Sequence, residues 1–151
     1  MKMNIREAQP NDLDSIRKLL EENQLPIADV TVPLLDDFLV AVGPGLVGVV
    51  GLERFGSNAL LRSLVVAGDG RSRGLGQELV EKMEKRARAT GVSSLWLLTK
   101  SATEFFQGAG YTTVHRNEVP TVVKGSREFA ELCPASAVQA PVTHAAFAVI
   151  G

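Results

Sequence analysis

Apolar residues follow two different spacings along this chain. Leu13, Ile16, Leu19 and Leu20 recur every three or four positions, which predicts a helix over residues 12–22 with one buried face. Asn11, just after Pro10, is the expected N-cap, and Pro26 closes the unit. The same spacing returns at Leu75, Leu79, Val80, Met83 and Ala87, predicting a helix over 75–90 that Gly91 ends. Its exposed side carries Glu78–Lys82, Glu81–Lys85 and Glu84–Arg88 in the favourable order. Between these helices the pattern changes to continuous apolar, β-branched runs at 37–42, 46–55 and 59–66. Gly43-Pro44-Gly45 and Gly56-Ser57-Asn58 separate them, and turns this short predict antiparallel hairpins.

Shorter strands are expected at 4–8, 94–100, 111–115 and 135–139. Ser101 and Glu104 frame a capping box ahead of a short helix over 102–107, ended by Gly108 and Gly110. Another short helix is expected over 126–132, and residues 27–36 read as either a short helix or a loop. Residues 140–151 are small and apolar without a period, and are expected as a tail, disordered or part of an interface. Meander strands followed by strands alternating with helices make this an α+β (α/β) chain. A single domain is expected over 1–139.

With 151 residues, the chain is long enough for one domain with a sizeable core. A net charge of −1 argues against nucleic acid or an anionic membrane as partner, so any anion binding has to be local. One cysteine, Cys133, allows no internal disulfide and fits a reducing compartment. His115 and His144 leave a zinc site few ligands, and no metal is expected. No segment approaches the length of a membrane span, and MKMNIREAQP lacks the apolar run of a signal peptide, so the expected location is cytoplasmic.

The local anion site is suggested by GDGRSRGLG, residues 68–76, which follows a strand and opens a helix. A helix N-terminus presents unpaired N–H groups and partial positive charge. Gly74 and Gly76 let a ligand approach the backbone, while Arg71 and Arg73 add cations where the dipole already disfavours them. That placement costs about 0.3–1 kcal/mol per arginine, and an anion bound there offsets it. Glycines alone would indicate only a turn. The dinucleotide pattern lacks its third glycine, and the Gly-Lys-Ser/Thr of a P-loop is missing.

Arg71-x-x-Gly74-x-Gly76, preceded by Leu64-Val65-Val66, resembles the coenzyme A pyrophosphate loop of the GNAT acyltransferases, Gln/Arg-x-x-Gly-x-Gly/Ala. Phe105-Phe106-Gln107-Gly108-Ala109-Gly110-Tyr111 resembles that family's second landmark, Phe-Tyr-x-x-x-Gly-Phe. The element order matches over nearly the whole chain. The resemblance implies the acyl-CoA N-acyltransferase fold, a mixed and mostly antiparallel sheet flanked by helices. It also implies acetyl transfer from acetyl-CoA, as cosubstrate, to an amine. A narrower resemblance, in GLERFG, ALLRSLVV and SREFAELCPASA, is to the arsenic-resistance N-acetyltransferases of the ArsN type. It implies a small-molecule amine acceptor such as arsinothricin or phosphinothricin. Alternatives are another amine (a protein, a polyamine, an antibiotic) or an acyl-CoA sensor without turnover. Family members are often dimers, which makes a homodimer a candidate.

By this resemblance the backbone of Arg71, Ser72, Arg73, Gly74, Leu75 and Gly76 holds the pyrophosphate. Leu64, Val65 and Val66 face the pantetheine arm, and an N–H of Val65 or Val66 polarises the thioester carbonyl. Phe105 and Phe106 complete the coenzyme-binding set. Many members place a tyrosine, as general acid, four residues before the landmark glycine; here that position is Phe106, and Tyr111 is expected to pack. Among catalytic candidates, Glu53 is the best-placed carboxylate for a base, or else a surface acid at a strand end. Arg62 interrupts an apolar strand and needs a partner, either a substrate anion or Glu53. Ser63 is a lesser polar candidate beside it. Cys133 reads as a small buried hydrophobe.

Overall fold

A computed structural model describes residues 4–25, 27–68, 74–99, 103–114, 120–124 and 145–150. The chain divides into two compact units, Met1–Glu53 with Leu61–Thr90, and Arg54–Leu60 with Gly91–Gly151.

The first unit contains β1 (Asn4–Glu7), α1 (Leu13–Glu22), β2 (Phe38–Val42), most of β3 (Leu46–Phe55), the later part of β4 (Asn58–Val66) and α2 (Leu75–Ala89). β1 pairs antiparallel with β2, and β2 with β3, with a register shift between Ala41 and Val42. Gly56 and Ser57 turn β3 into its neighbour β4, and Ala67 N–H donates to Val47 O at 2.8 Å beyond the end of β4. Ile16, Leu19 and Leu20 of α1 pack with Val30, Leu35, Phe38, Val40, Val49 and Val65. The five apolar positions predicted for α2, Leu75, Leu79, Val80, Met83 and Ala87, are its buried residues. Two glycines on β3 permit this packing. A Cβ on Gly51 would lie 2.3 Å from Phe38 Cζ, and one on Gly48 would lie 3.1 Å from Leu79 Cδ1.

The start of α1 corrects the sequence reading. Pro10–Asp12 form a 3-10 turn, so Asn11 lies inside that turn and does not cap the helix. Asp12 stands at the N-cap position of α1 without a side-chain bond to the helix; its Oδ2 instead accepts the Gln9 N–H at 2.8 Å, closing the 3-10 turn. Its carboxylate also receives Arg6 Nη1 and Nη2 at 2.8 and 3.1 Å. The Arg6 hydrogen bond holds the Asp12 carboxyl below its ordinary value and raises Arg6 in turn. The ambiguous stretch before β2 resolves into a turn, with Val30 N–H on Ile27 O at 3.0 Å, and a 3-10 segment over Pro33–Asp37.

In the second unit, Asn58–Leu60 of β4 pair parallel with Ser94–Trp96 of β5 (Ser94–Thr99). Trp96 Nε1 donates to Asn58 Oδ1 at 3.0 Å across that ladder. α3 (Thr103–Gly108), β6 (Thr112–Val114) and α4 (Thr121–Lys124) follow; α4 had no sequence signal. β7 (Ala145–Ile150) lies between β5 and β6, antiparallel to both. Residues 145–150, which the sequence placed in a tail, form this strand. Alternation identifies a strand with one wet face, and this run has none, while its partners are distant in sequence. The strand expected at 135–139, the helix expected at 126–132 and Ser101 of the capping box lie outside the described residues. No described helix is long and apolar enough to cross a membrane.

Candidate active site

β3 and β4 run side by side through the first unit and bring together residues nine apart in sequence. Arg62 on β4 is surrounded by apolar neighbours, and its side chain is 0% exposed. A buried guanidinium requires charged or polar partners for its donors. Nη1 donates to Glu53 Oε1 on β3 at 2.9 Å, and Nε donates to Ser63 Oγ at 3.1 Å. Of the two readings of Arg62, pairing with Glu53 is the one the structure shows. Glu53 is not a plain surface acid, since its side chain is only 22% exposed.

Nothing in the sequence marks the third partner. Asp29 accepts Arg62 Nη1 at 2.6 Å through Oδ2 and Nη2 at 2.8 Å through Oδ1, a two-pronged carboxylate–guanidinium pair. Asp29 sits in the turn between Ile27 and Val30, and Val30 is fully buried, which fixes the turn on the sheet. A single acid in a loop, 33 residues from its partner, has no periodicity to mark it. The available hint was the buried cation itself, which needs more than one acceptor.

Ser63 has φ 59°, a left-handed conformation inside a strand that non-glycine residues rarely adopt. Ala59–Ser63 are all buried, Leu64 is half-buried, and Val65 and Val66 are buried again. The coenzyme-strand candidates Leu64, Val65 and Val66 thus follow directly on the Arg62 cluster.

The other half of the candidate site is the start of α2. Gly74 is its left-handed N-cap, φ 72° and ψ 18°, with open space where a Cβ would be. The first helical bond runs from Glu78 N–H to Gly74 O at 3.1 Å, which leaves the N–H groups of Leu75, Gly76 and Gln77 without an intrahelical acceptor. Leu75 is buried and anchors the turn, while Gly74 is exposed and Gly76 half-buried. These donors and the helix dipole fit an anion. Arg71, Ser72 and Arg73 lie outside the described residues, as do His115, Cys133 and His144.

Phe105 and Phe106 belong to α3 in the second unit. Phe106 is 4% exposed, with its ring edge-on to Phe105 at 5.0 Å and to Tyr111 at 5.4 Å. Phe105 is exposed. Tyr111, 3% exposed, packs as the sequence predicts. Among the described residues no group of three or more His, Cys, Asp or Glu is arranged to hold a metal ion.

The family profile described as "Acetyltransferase (GNAT) domain" matches residues 35–113, from the 3-10 segment before β2 to β6. The chain belongs to the GNAT acetyltransferase family. It is an acyltransferase of that family, with the family's mixed sheet flanked by helices. Solved structures share the fold at low identity. Rv2747 from Mycobacterium tuberculosis, in complex with CoA and NLQ, is 21% identical over 98% of this chain and 99% of that one, with a TM-score of 0.81. N-acetylglutamate synthase from Neisseria gonorrhoeae, complexed with coenzyme A and N-acetyl-glutamate, is 19% identical over 99% of this chain and has a TM-score of 0.80. This chain corresponds to 35% of the Neisseria enzyme's length. A GNAT-family acetyltransferase from Staphylococcus aureus Mu50 is 15% identical over 99% of both chains, with a TM-score of 0.70. No curated protein matches the sequence significantly.

Proposed function

We propose that this GNAT enzyme transfers the acetyl group of acetyl-CoA to the primary amine of a small acidic amino acid. Arsenic- or phosphorus-containing compounds of the arsinothricin and phosphinothricin kind are the leading acceptors. The observation that carries the coenzyme assignment is the glycine-led start of α2. Gly74 is left-handed and open, and the N–H groups of Leu75, Gly76 and Gln77 have no helical acceptor. With Arg71, Ser72 and Arg73 they would hold the pyrophosphate. Leu64, Val65 and Val66 would lie along the pantetheine arm, with Phe105 and Phe106 as further contacts. Acetyl-CoA supplies an activated acyl group; the residues of this chain place it, and the loss of a proton makes the amine nucleophilic.

Two observations support the acceptor class. GLERFG, ALLRSLVV and SREFAELCPASA resemble the arsenic-resistance acetyltransferases. The Neisseria structure of the same fold holds N-acetyl-glutamate, an acetylated acidic amino acid, and phosphinothricin is itself a glutamate analogue. Glu53 is the candidate base, and Phe106 at the usual tyrosine position leaves water to protonate the departing thiolate.

Thiol release from acetyl-CoA, measured over a panel of glutamate, phosphinothricin, arsinothricin, a polyamine and a peptide, tests the reading. Release above hydrolysis is expected with the acidic amino acids. Preference for the polyamine or the peptide would remove the acceptor assignment. Gly74→Glu places a carboxylate where the pyrophosphate is expected, and acetyl-CoA affinity should fall at least about tenfold, roughly 1.4 kcal/mol. Gly74→Ala carries the same left-handed strain without the carboxylate and serves as the control; unchanged affinity in Gly74→Glu would remove the loop assignment.

A further inference from the structure

We infer that Asp29 is a positioning residue that acts on the acceptor amine through Arg62 and Glu53, an inference that rests on the acetyl-transfer reading above. Asp29 grips Arg62 with both oxygens, at 2.6 and 2.8 Å, and so fixes the plane of the guanidinium. The same Nη1 then holds Glu53 Oε1 at 2.9 Å, while Nε is held by Ser63 Oγ at 3.1 Å. Toward described residues, four of the five Arg62 donors are used in this way. The cation is fully covered, whereas the two carboxylates keep 18% and 22% of their side chains exposed. Glu53 thus has one oxygen fixed, and Oε2 makes no hydrogen bond among the described residues. Arg62 is three residues before Val65, so the cluster lies on the same strand as the segment assigned to the thioester.

An aliphatic acceptor arrives as an ammonium and gives up one proton before it can attack. Glu53 Oε2 takes that proton. The amine nitrogen then attacks the thioester carbon: the C–N bond forms, the C–S bond breaks, and the electron pair leaves on sulfur. The remaining surplus proton on nitrogen passes through water to the thiolate. Asp29 touches none of the reacting atoms; it sets the direction of the oxygen that does.

Two acceptors distinguish this role from a structural one: an aliphatic amino acid, charged at neutral pH, and hydroxylamine, which is neutral there. Glu53→Gln is expected to lower kcat on the amino acid about 100-fold, and Asp29→Asn about tenfold, with the KM for acetyl-CoA unchanged. Both losses should be much smaller with hydroxylamine, which needs no deprotonation. Asp29→Glu should restore part of the rate. The double variant should be no slower than Glu53→Gln alone, since the residues act as a unit. If Asp29→Asn does not fold, Arg62→Lys gives the same readout, because lysine keeps the charge and loses the fork. Equal losses on both acceptors, or losses that add in the double variant, would overturn the role of Asp29. Thiol release by the unaltered enzyme is scored separately. Its absence with every acceptor overturns acetyl transfer, and this inference with it.

Discussion

Gly51 shows how far packing depends on a single absent atom. It pairs with Phe38 across the β2–β3 ladder, and the Phe38 ring occupies the space a side chain would need. Phe38 is fully buried and cannot swing away. Gly51→Ala is expected to cost about 1–3 kcal/mol by overpacking, read from the shift in a urea-unfolding midpoint. Adding Phe38→Leu should recover part of that loss, because the two changes share one space. Arg62 presents the opposite case, a polar group that the core requires. Arg62→Leu removes the cation and leaves two carboxylates facing each other, with an expected cost of roughly 3 kcal/mol in the same measurement.

At the level of the element, the start of α1 depends on pH. The Asp12 carboxyl is held low mainly by its hydrogen bond to Arg6, with the Gln9 N–H contributing. A group with a lowered folded-state pKa stabilises above its unfolded value, and the contribution disappears as pH falls through the folded value. Asp12→Asn should therefore destabilise the protein at pH 7, and the difference from the unaltered chain should shrink below about pH 4. Urea unfolding of both proteins at neutral and acid pH checks this. A gap of the same size at both pH values would mean that the hydrogen-bond geometry matters and the charge does not. α2 illustrates a different point: its buried stripe is continuous, so Met83→Ala is expected to cost about 2–5 kcal/mol.

For the molecule as a whole, the last strand is integral to the second unit. β7 pairs along its length with β5 and also with β6. Truncation after residue 144 removes the strand between them and exposes two edges of unpaired backbone. Loss of hydrogen-exchange protection at the β5 amides, and aggregation on concentration, are the expected results. A truncated chain with unchanged protection would show that β7 is dispensable.

The sequence by itself determined the main elements of the first unit and raised the expectation of a coenzyme loop at the start of α2. Helix faces follow from a 3.6-residue period, hairpins from glycine turns, and the expectation of an anion site from donors that a helix start always leaves open; all three are local physics. Hence the α2 stripe and the bounds of β3 were legible in advance. Phe105-Phe106 and Gly74-x-Gly76 were legible as landmarks for the same reason, since their spacing is short. The tertiary structure alone decided which distant groups meet. Asp29 reaches Arg62 across 33 residues, and β7 enters between β5 and β6, because burial forces a buried cation and an unpaired strand edge to find partners wherever the fold supplies them. Neither demand names its partner in one dimension. The start of α1 is an intermediate case: its N-cap position lay within one residue of the expected place, but a 3-10 turn at Pro10 moved it from Asn11 to Asp12, whose carboxylate bonds back to Gln9 and Arg6 and not to the helix.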